Sequence, residues 1–113
     1  MSAITTHILD TSRGHPASGV GVRLEQQSGE GWQLLGEGAT DDDGRLKSLL
    51  PADFKLVPGS YRLIFQVGDY FETQHVESFY REVAISFIVH EAGGHYHVPL
   101  LLSPYGYSTY RGS

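Results

Sequence analysis

Between its glycines and prolines the chain alternates apolar and polar positions with a period of two, and the apolar members are mainly Val, Ile, Leu, Tyr and Phe. Successive side chains of an extended strand point to opposite faces, so this alternation predicts half-buried β-strands. Strands are expected over residues 4–10, 20–27, 32–39, 61–68, 83–90, 96–102 and 105–111, with a short eighth near 45–48. Turn chemistry separates them: a Gly/Pro stretch at 14–19, residues 28–31 joining two strands, Asp43-Gly44, and Pro58-Gly59. Strands linked this tightly run mostly antiparallel. One stretch breaks the period: Asp69 and then Glu72 read as an N-cap with its capping-box partner, opening a single short helix over 70–79. Many short strands with one helix predict an all-β, two-sheet antiparallel sandwich, with a closed barrel as the alternative.

At 113 residues the chain has the size of one domain, taken as 1–113, and its 40% hydrophobic content supplies a modest core. Oligomerisation is then a useful source of extra stability. Thirteen acids against eight bases, without a run of Lys or Arg, leave no electrostatic footprint for nucleic acid. The longest apolar stretches, 83–89 and 98–102, are too short to span a bilayer, and no export signal is read. No membrane partner is expected, and the cytoplasm is the default location. The lack of cysteine removes disulfides, thiol nucleophiles and thiolate metal sites.

Strand parity then exposes candidate chemistry. Ile4, Thr6 and Ile8 share one face of the first strand, and Thr5, His7 and Leu9 the other, so a core built on the isoleucines turns His7 outward. Near the C-terminus Tyr96, Val98, Leu100 and Leu102 form a core face, leaving His95, His97, Pro99 and Leu101 outside; Tyr110 falls with Gly106 and Ser108. If these strands are neighbours, their outer face is too apolar to stand in water, and a second subunit packed there leaves imidazoles and a phenol in a partly dry cleft.

Each residue also has a plainer reading. A lone strand histidine is usually structural or solvent-facing; His15 and His75 read as surface residues and His90 as a strand end. Arg45 after Asp43-Gly44 is by default a solvated hairpin residue, although its guanidinium fork suits a planar anion equally well. His95 and His97 with His7 also match a three-histidine metal site, but with no acidic partner beside them the signal is weak and no metal is expected.

Three blocks carry a resemblance to a known family. Thr6-His7-Ile8-Leu9-Asp10 leads into Gly14-His15-Pro16-Ala17, residues 40–45 read TDDDGR, and residues 95–113 read HYHVPLLLSPYGYSTYRGS. In these the chain resembles the 5-hydroxyisourate hydrolases, transthyretin-like enzymes of purine catabolism, and the likeness runs through the whole chain. Most specific is the closing Tyr110-Arg111-Gly112-Ser113, which matches the signature separating the hydrolases from the thyroid-hormone carrier of the same fold. The resemblance implies a transthyretin-like sandwich of about eight strands with one short helix, a homotetramer, and sites in the channel between paired dimers. It implies substrate binding by His7, Arg45 and Tyr110, with His97 as a further catalytic residue and Ser113 in the closing tetrapeptide. The implied reaction adds water across a lactam of 5-hydroxyisourate and opens the six-membered ring, without a cofactor. A non-catalytic small-molecule carrier of the transthyretin type is the alternative, which fold alone does not exclude.

Overall fold

In the computed structural model, which describes residues 2–113, the chain forms β1 (Ile4–Asp10), β2 (His15–Pro16), β3 (Gly21–Ser28), β4 (Gly31–Ala39) and β5 (Arg45–Leu46). Then follow β6 (Gly59–Phe65), α1 (Val67–Thr73), β7 (Val83–Val89), β8 (Tyr96–Ser103) and β9 (Gly106–Thr109). One sheet has the order β4-β3-β6-β7 and is antiparallel throughout. The other has the order β2-β1-β8-β9, with β5 paired to β1 beside β2. Its central pair is parallel: β1 and β8 run in register from Ile4 opposite Tyr96 to Asp10 opposite Leu102.

The two inward faces meet as the alternation requires. Ile4, Ile8, Leu100 and Leu102 from one sheet are buried against Leu24, Leu63 and Phe65 from the other. The chain is therefore a two-sheet sandwich rather than a barrel. The expected strands are present with ends shifted by a few residues, and the short eighth is β5. Two local expectations fail. Pro58-Gly59 is no tight turn, because Gly59 already belongs to β6 and the preceding turn lies at Ala52-Asp53, closed by Phe54 N–H on the Pro51 carbonyl at 3.0 Å. His15–Pro16 forms an additional two-residue strand on the end of β1.

The helix also differs from expectation. It runs from Val67 to Thr73, and its N-cap is Gln66, which makes no side-chain capping bond; Asp69 sits in the first turn instead. Burial decided the start, since Val67, Tyr70 and Phe71 form the face pressed into the core. The end comes early because His75 adopts a left-handed φ of 60°. There His75 N–H bonds the Glu72 carbonyl and Val76 N–H the Phe71 carbonyl, both at 3.0 Å, the pairing of a Schellman cap.

Tyr70 ties this helix to β1. Its hydroxyl donates to the buried Asp10 carboxylate at 2.7 Å, joined by the Ser12 hydroxyl at 2.6 Å and the Ser12 and Arg13 amides at 3.0 and 3.3 Å. Burial alone would push the Asp10 pKa up; the hydrogen bonds from Ser12, Tyr70 and Arg13 outweigh it and hold the carboxyl below its ordinary value. A depressed folded-state pKa contributes stability above the unfolded value, lost as pH falls below about 4. Tyr70→Phe is expected to cost about 1.5–3 kcal/mol, the range for hydrogen bonds to charged groups, in urea unfolding at fixed protein concentration and neutral pH. Unchanged stability would remove the hydroxyl from this account.

Candidate active site

The parallel ladder sets the geometry of the outer face. Thr5 lies opposite His97 and His7 opposite Pro99. On the other edge of β1, His7 is opposite Arg45 of β5. Paired residues share a face, so His7, Arg45 and His97 emerge on the same side, away from the core.

Arg45 is held there by its turn. The Asp41 carboxylate accepts from the amides of Asp43 at 2.9 Å and Arg45 at 3.0 Å, and the Arg45 amide is the first cause of an Asp41 pKa below the carboxylate norm. Gly44 follows with φ +74°, and a Cβ there would lie 2.4 Å from the Ile8 carbonyl oxygen. Only glycine permits that approach, through which Ile8 N–H reaches the Gly44 carbonyl at 2.8 Å and locks the turn onto β1.

The C-terminal residues are anchored in a similar way. Gly112 bridges to His97, its N–H donating to the His97 carbonyl at 2.8 Å. A Cβ on Gly112 would stand 2.6 Å from His97 Cδ2, so the imidazole edge lies directly over its backbone. One residue earlier the Arg111 guanidinium rests over the Tyr96 ring, 4.6 Å from its centre.

Together these segments enclose a cleft of about 250 Å³ whose lining includes Thr5, Arg45, Lys47, His95, His97 and Ser113. The Thr5 hydroxyl lies 2.8 Å from His97 Nδ1 and 3.4 Å from His95 Nε2. Burial lowers the His97 pKa, helped by the charges of Arg45, His7 and His95 and opposed by a hydrogen bond to the Thr5 backbone. The shift favours the neutral form of the imidazole beside the Arg45 guanidinium. Among the described residues, no salt bridge engages Arg45.

Of the residues singled out from sequence, Arg45, His97 and Ser113 line one cleft, with His7 adjacent by register. Tyr110 does not line it. It is 59% exposed and borders an adjoining cleft of about 460 Å³ with Ile85, Phe87, Thr109 and Arg111, where His97 also appears. Sequence reasoning left out Thr5 and Lys47, although they stand two residues from His7 and Arg45, the spacing that returns a strand to the same face. His95 and His97 both turn a nitrogen toward Thr5, and among the described residues no three His, Cys, Asp or Glu side chains are grouped as a metal ion requires.

The family model described as "HIUase/Transthyretin family" matches residues 4–112. The chain belongs to this family. Within it, the chain is 51% identical over 110 residues to the 5-hydroxyisourate hydrolase of Salmonella typhimurium, covering 97% of this chain and 80% of that one. The solved 5-hydroxyisourate hydrolase of Klebsiella pneumoniae superposes with a TM-score of 0.84 at 37% identity, over 97% of this chain and 98% of that one. Transthyretin from Sparus aurata superposes with a TM-score of 0.91 at 31% identity, over 99% of this chain and 97% of that one. A backbone this similar to both leaves the side chains of the cleft to separate catalysis from binding.

Gly112→Ala tests the anchoring. Its methyl group has to displace the His97 ring or the tail, so the His97 ring resonances are expected to shift while the thermal midpoint stays within about 2 °C, as for a change near a chain end. An undisturbed His97 would show that the close packing is not needed.

Proposed function

We propose that this chain hydrolyses 5-hydroxyisourate, opening the ring of a lactam to give 2-oxo-4-hydroxy-4-carboxy-5-ureidoimidazoline in urate breakdown. The observation that carries this reading is the His97 imidazole, its pKa lowered chiefly by burial, set in one cleft with the Arg45 guanidinium. Ring opening needs a base for water, a positive charge for the oxygen that becomes negative, and a proton for the departing nitrogen. His97 takes a proton from water, and the hydroxide adds to the lactam carbonyl carbon. Arg45 binds the polar edge of the planar substrate and offsets charge on the carbonyl oxygen. When the C–N bond breaks, the nitrogen receives the proton that His97 acquired, so the imidazole returns neutral and one water is consumed. His7, opposite Arg45, orients the water, and Ser113 lies within the same cleft to hydrogen-bond the substrate.

Tyr110 enters this scheme once a second copy closes the site, binding the ring from its side of the tail. A homotetramer with sites between paired dimers is part of the proposal, supported by the apolar surface that one copy leaves in water: Ile88 on β7 is 58% exposed and borders the same cleft as Tyr110, itself 59% exposed. The cytoplasm is the location this reading takes. No helix among the described residues is long and apolar enough to cross a membrane.

The ultraviolet decay of freshly generated 5-hydroxyisourate, measured with and without protein, decides the activity against the spontaneous rate. Decay at the spontaneous rate despite binding would return the chain to a carrier's role. His97→Asn and Arg45→Ala are each expected to lower kcat by about 100-fold or more. Because His97 must be neutral to accept a proton and its pKa is depressed, kcat should stay level across neutral pH and fall only below the ordinary histidine value of about 6.5. Removing residues 110–113 should abolish turnover while the β-sheet circular dichroism persists; loss of both would make the tail structural.

A further inference from the structure

Thr5 is a buried residue of β1 directly opposite His97. Its hydroxyl touches two imidazole nitrogens, His97 Nδ1 at 2.8 Å and His95 Nε2 at 3.4 Å. A hydroxyl carries one proton and two lone pairs, so of two ring nitrogens it donates to at most one and accepts from any other it bonds. The direction decides what His97 is able to do.

We propose that Thr5 is a positioning residue that accepts a hydrogen bond from His97 Nδ1–H, fixing the tautomer in which Nε2 holds the lone pair facing the substrate cleft. This rests on the hydrolase reading of the cleft. Two contacts leave Nε2 as the working atom: Nδ1 is engaged by Thr5 and the Cδ2 edge lies over Gly112, while among the described residues no hydrogen bond engages Nε2. With Thr5 as acceptor, the incoming proton lands on Nε2, and the imidazolium that forms already has its second N–H satisfied. With Thr5 as donor the roles reverse: Nε2 carries a hydrogen, and a proton arriving from water meets no lone pair on the cleft side. The Thr5 proton then turns to His95 Nε2, which gives the second histidine of the pair a function that a metal site does not supply.

The surroundings favour the same arrangement. Around His97 stand His7 on β1, Arg45 on β5 with Lys47 just beyond it, His95 just before β8, and Ser113 from the tail. None of these side chains is an Asp or Glu, and the side-chain oxygen at hydrogen-bond distance from Nδ1 is the Thr5 hydroxyl, 2.8 Å away. Arginine and lysine have only donors to give.

The test uses the full chain in its native assembly, with histidines selectively labelled with nitrogen-15 and the His97 signals identified by their absence in His97→Asn. Near neutral pH the wild-type His97 ring is expected to show the Nδ1-protonated tautomer. Thr5→Val, which keeps the shape but removes the hydroxyl, should raise the Nε2-protonated fraction and lower kcat about 10- to 100-fold, the range for loss of a ligand-orienting partner, with KM changed less than about twofold. Thr5→Ser should restore both tautomer and kcat. A wild-type ring protonated on Nε2, or a Thr5→Val protein with unchanged tautomer and kcat, overturns the proposal. If Thr5→Val does not fold, the wild-type tautomer alone decides it. If the wild-type protein does not turn over 5-hydroxyisourate, the hydrolase reading fails, while the nitrogen spectra still decide whether Thr5 sets the His97 tautomer.

Discussion

The parallel pairing of β1 with β8 is the constraint on which the rest depends. A strand slipped by one residue turns every side chain to the opposite face. Here that slip would expel Ile4 and Ile8 from the core and draw in Thr5, His7 and Leu9. The hydrophobic interior therefore fixes register, and register fixes where the imidazoles stand. His7 and His97 are separated by ninety positions in sequence yet share a surface because Ile8 and Val98, one step away on their strands, must be buried. The geometry of the candidate site is a by-product of packing, and it carries the rigidity of the sheet centre rather than that of a loop.

Two glycines extend this geometry to groups that are not on the central pair. At Gly44 the chain presses against the carbonyl of Ile8, and at Gly112 it passes under the His97 ring. In each case the missing side chain lets main chain approach closely enough to hydrogen-bond, and the neighbouring functional residue is carried in with it. Arg45 arrives beside His7 through the first contact, and Ser113 arrives in the cleft through the second. The acidic run at 41–43 is a structural partner to the basic site: Asp41 spends its carboxylate on the turn's own amides.

Much of this was legible in the sequence, since alternation reports burial and burial sets the faces. The core residues of β1 and β8 and the outward turn of His7 and His97 follow from period two, while the sandwich was favoured over a closed barrel that the same pattern also allows. The helix ends were hidden because a local capping pattern at Asp69 and Glu72 competed with the apolar triplet of Val67, Tyr70 and Phe71, and tertiary burial won. The two-residue β2 has no pattern to read; it exists because the chain after Gly14 doubles back along β1. Tyr110 was placed with the imidazoles by parity, but parity names a face without measuring distance across it, and the tail between them puts it in the adjoining cleft. Thr5 carried a usable signal, two residues before His7, but a threonine draws notice only once its hydroxyl is found between two rings.

The electrostatics of the cleft run against those of the whole molecule. The chain carries a formal charge of -5, yet the lining residues include Arg45, Lys47, His95 and His97 with no Asp or Glu side chain. Concentrating positive charge here does two things at once. It attracts a planar, electron-rich substrate, and it makes a further positive charge on His97 unfavourable. Burial, with this second effect added, lowers the His97 pKa; in the proposed reaction that weakens the base but keeps more of it unprotonated at neutral pH, ready to accept a proton when substrate arrives. In the proposed reaction, negative charge developing on the substrate oxygen would partly neutralise the cations that oppose protonation, so the imidazole would accept its proton most readily as the transition state forms. A carrier built on this backbone would gain nothing from that coupling, which is why the charges around His97, rather than the fold, point to turnover.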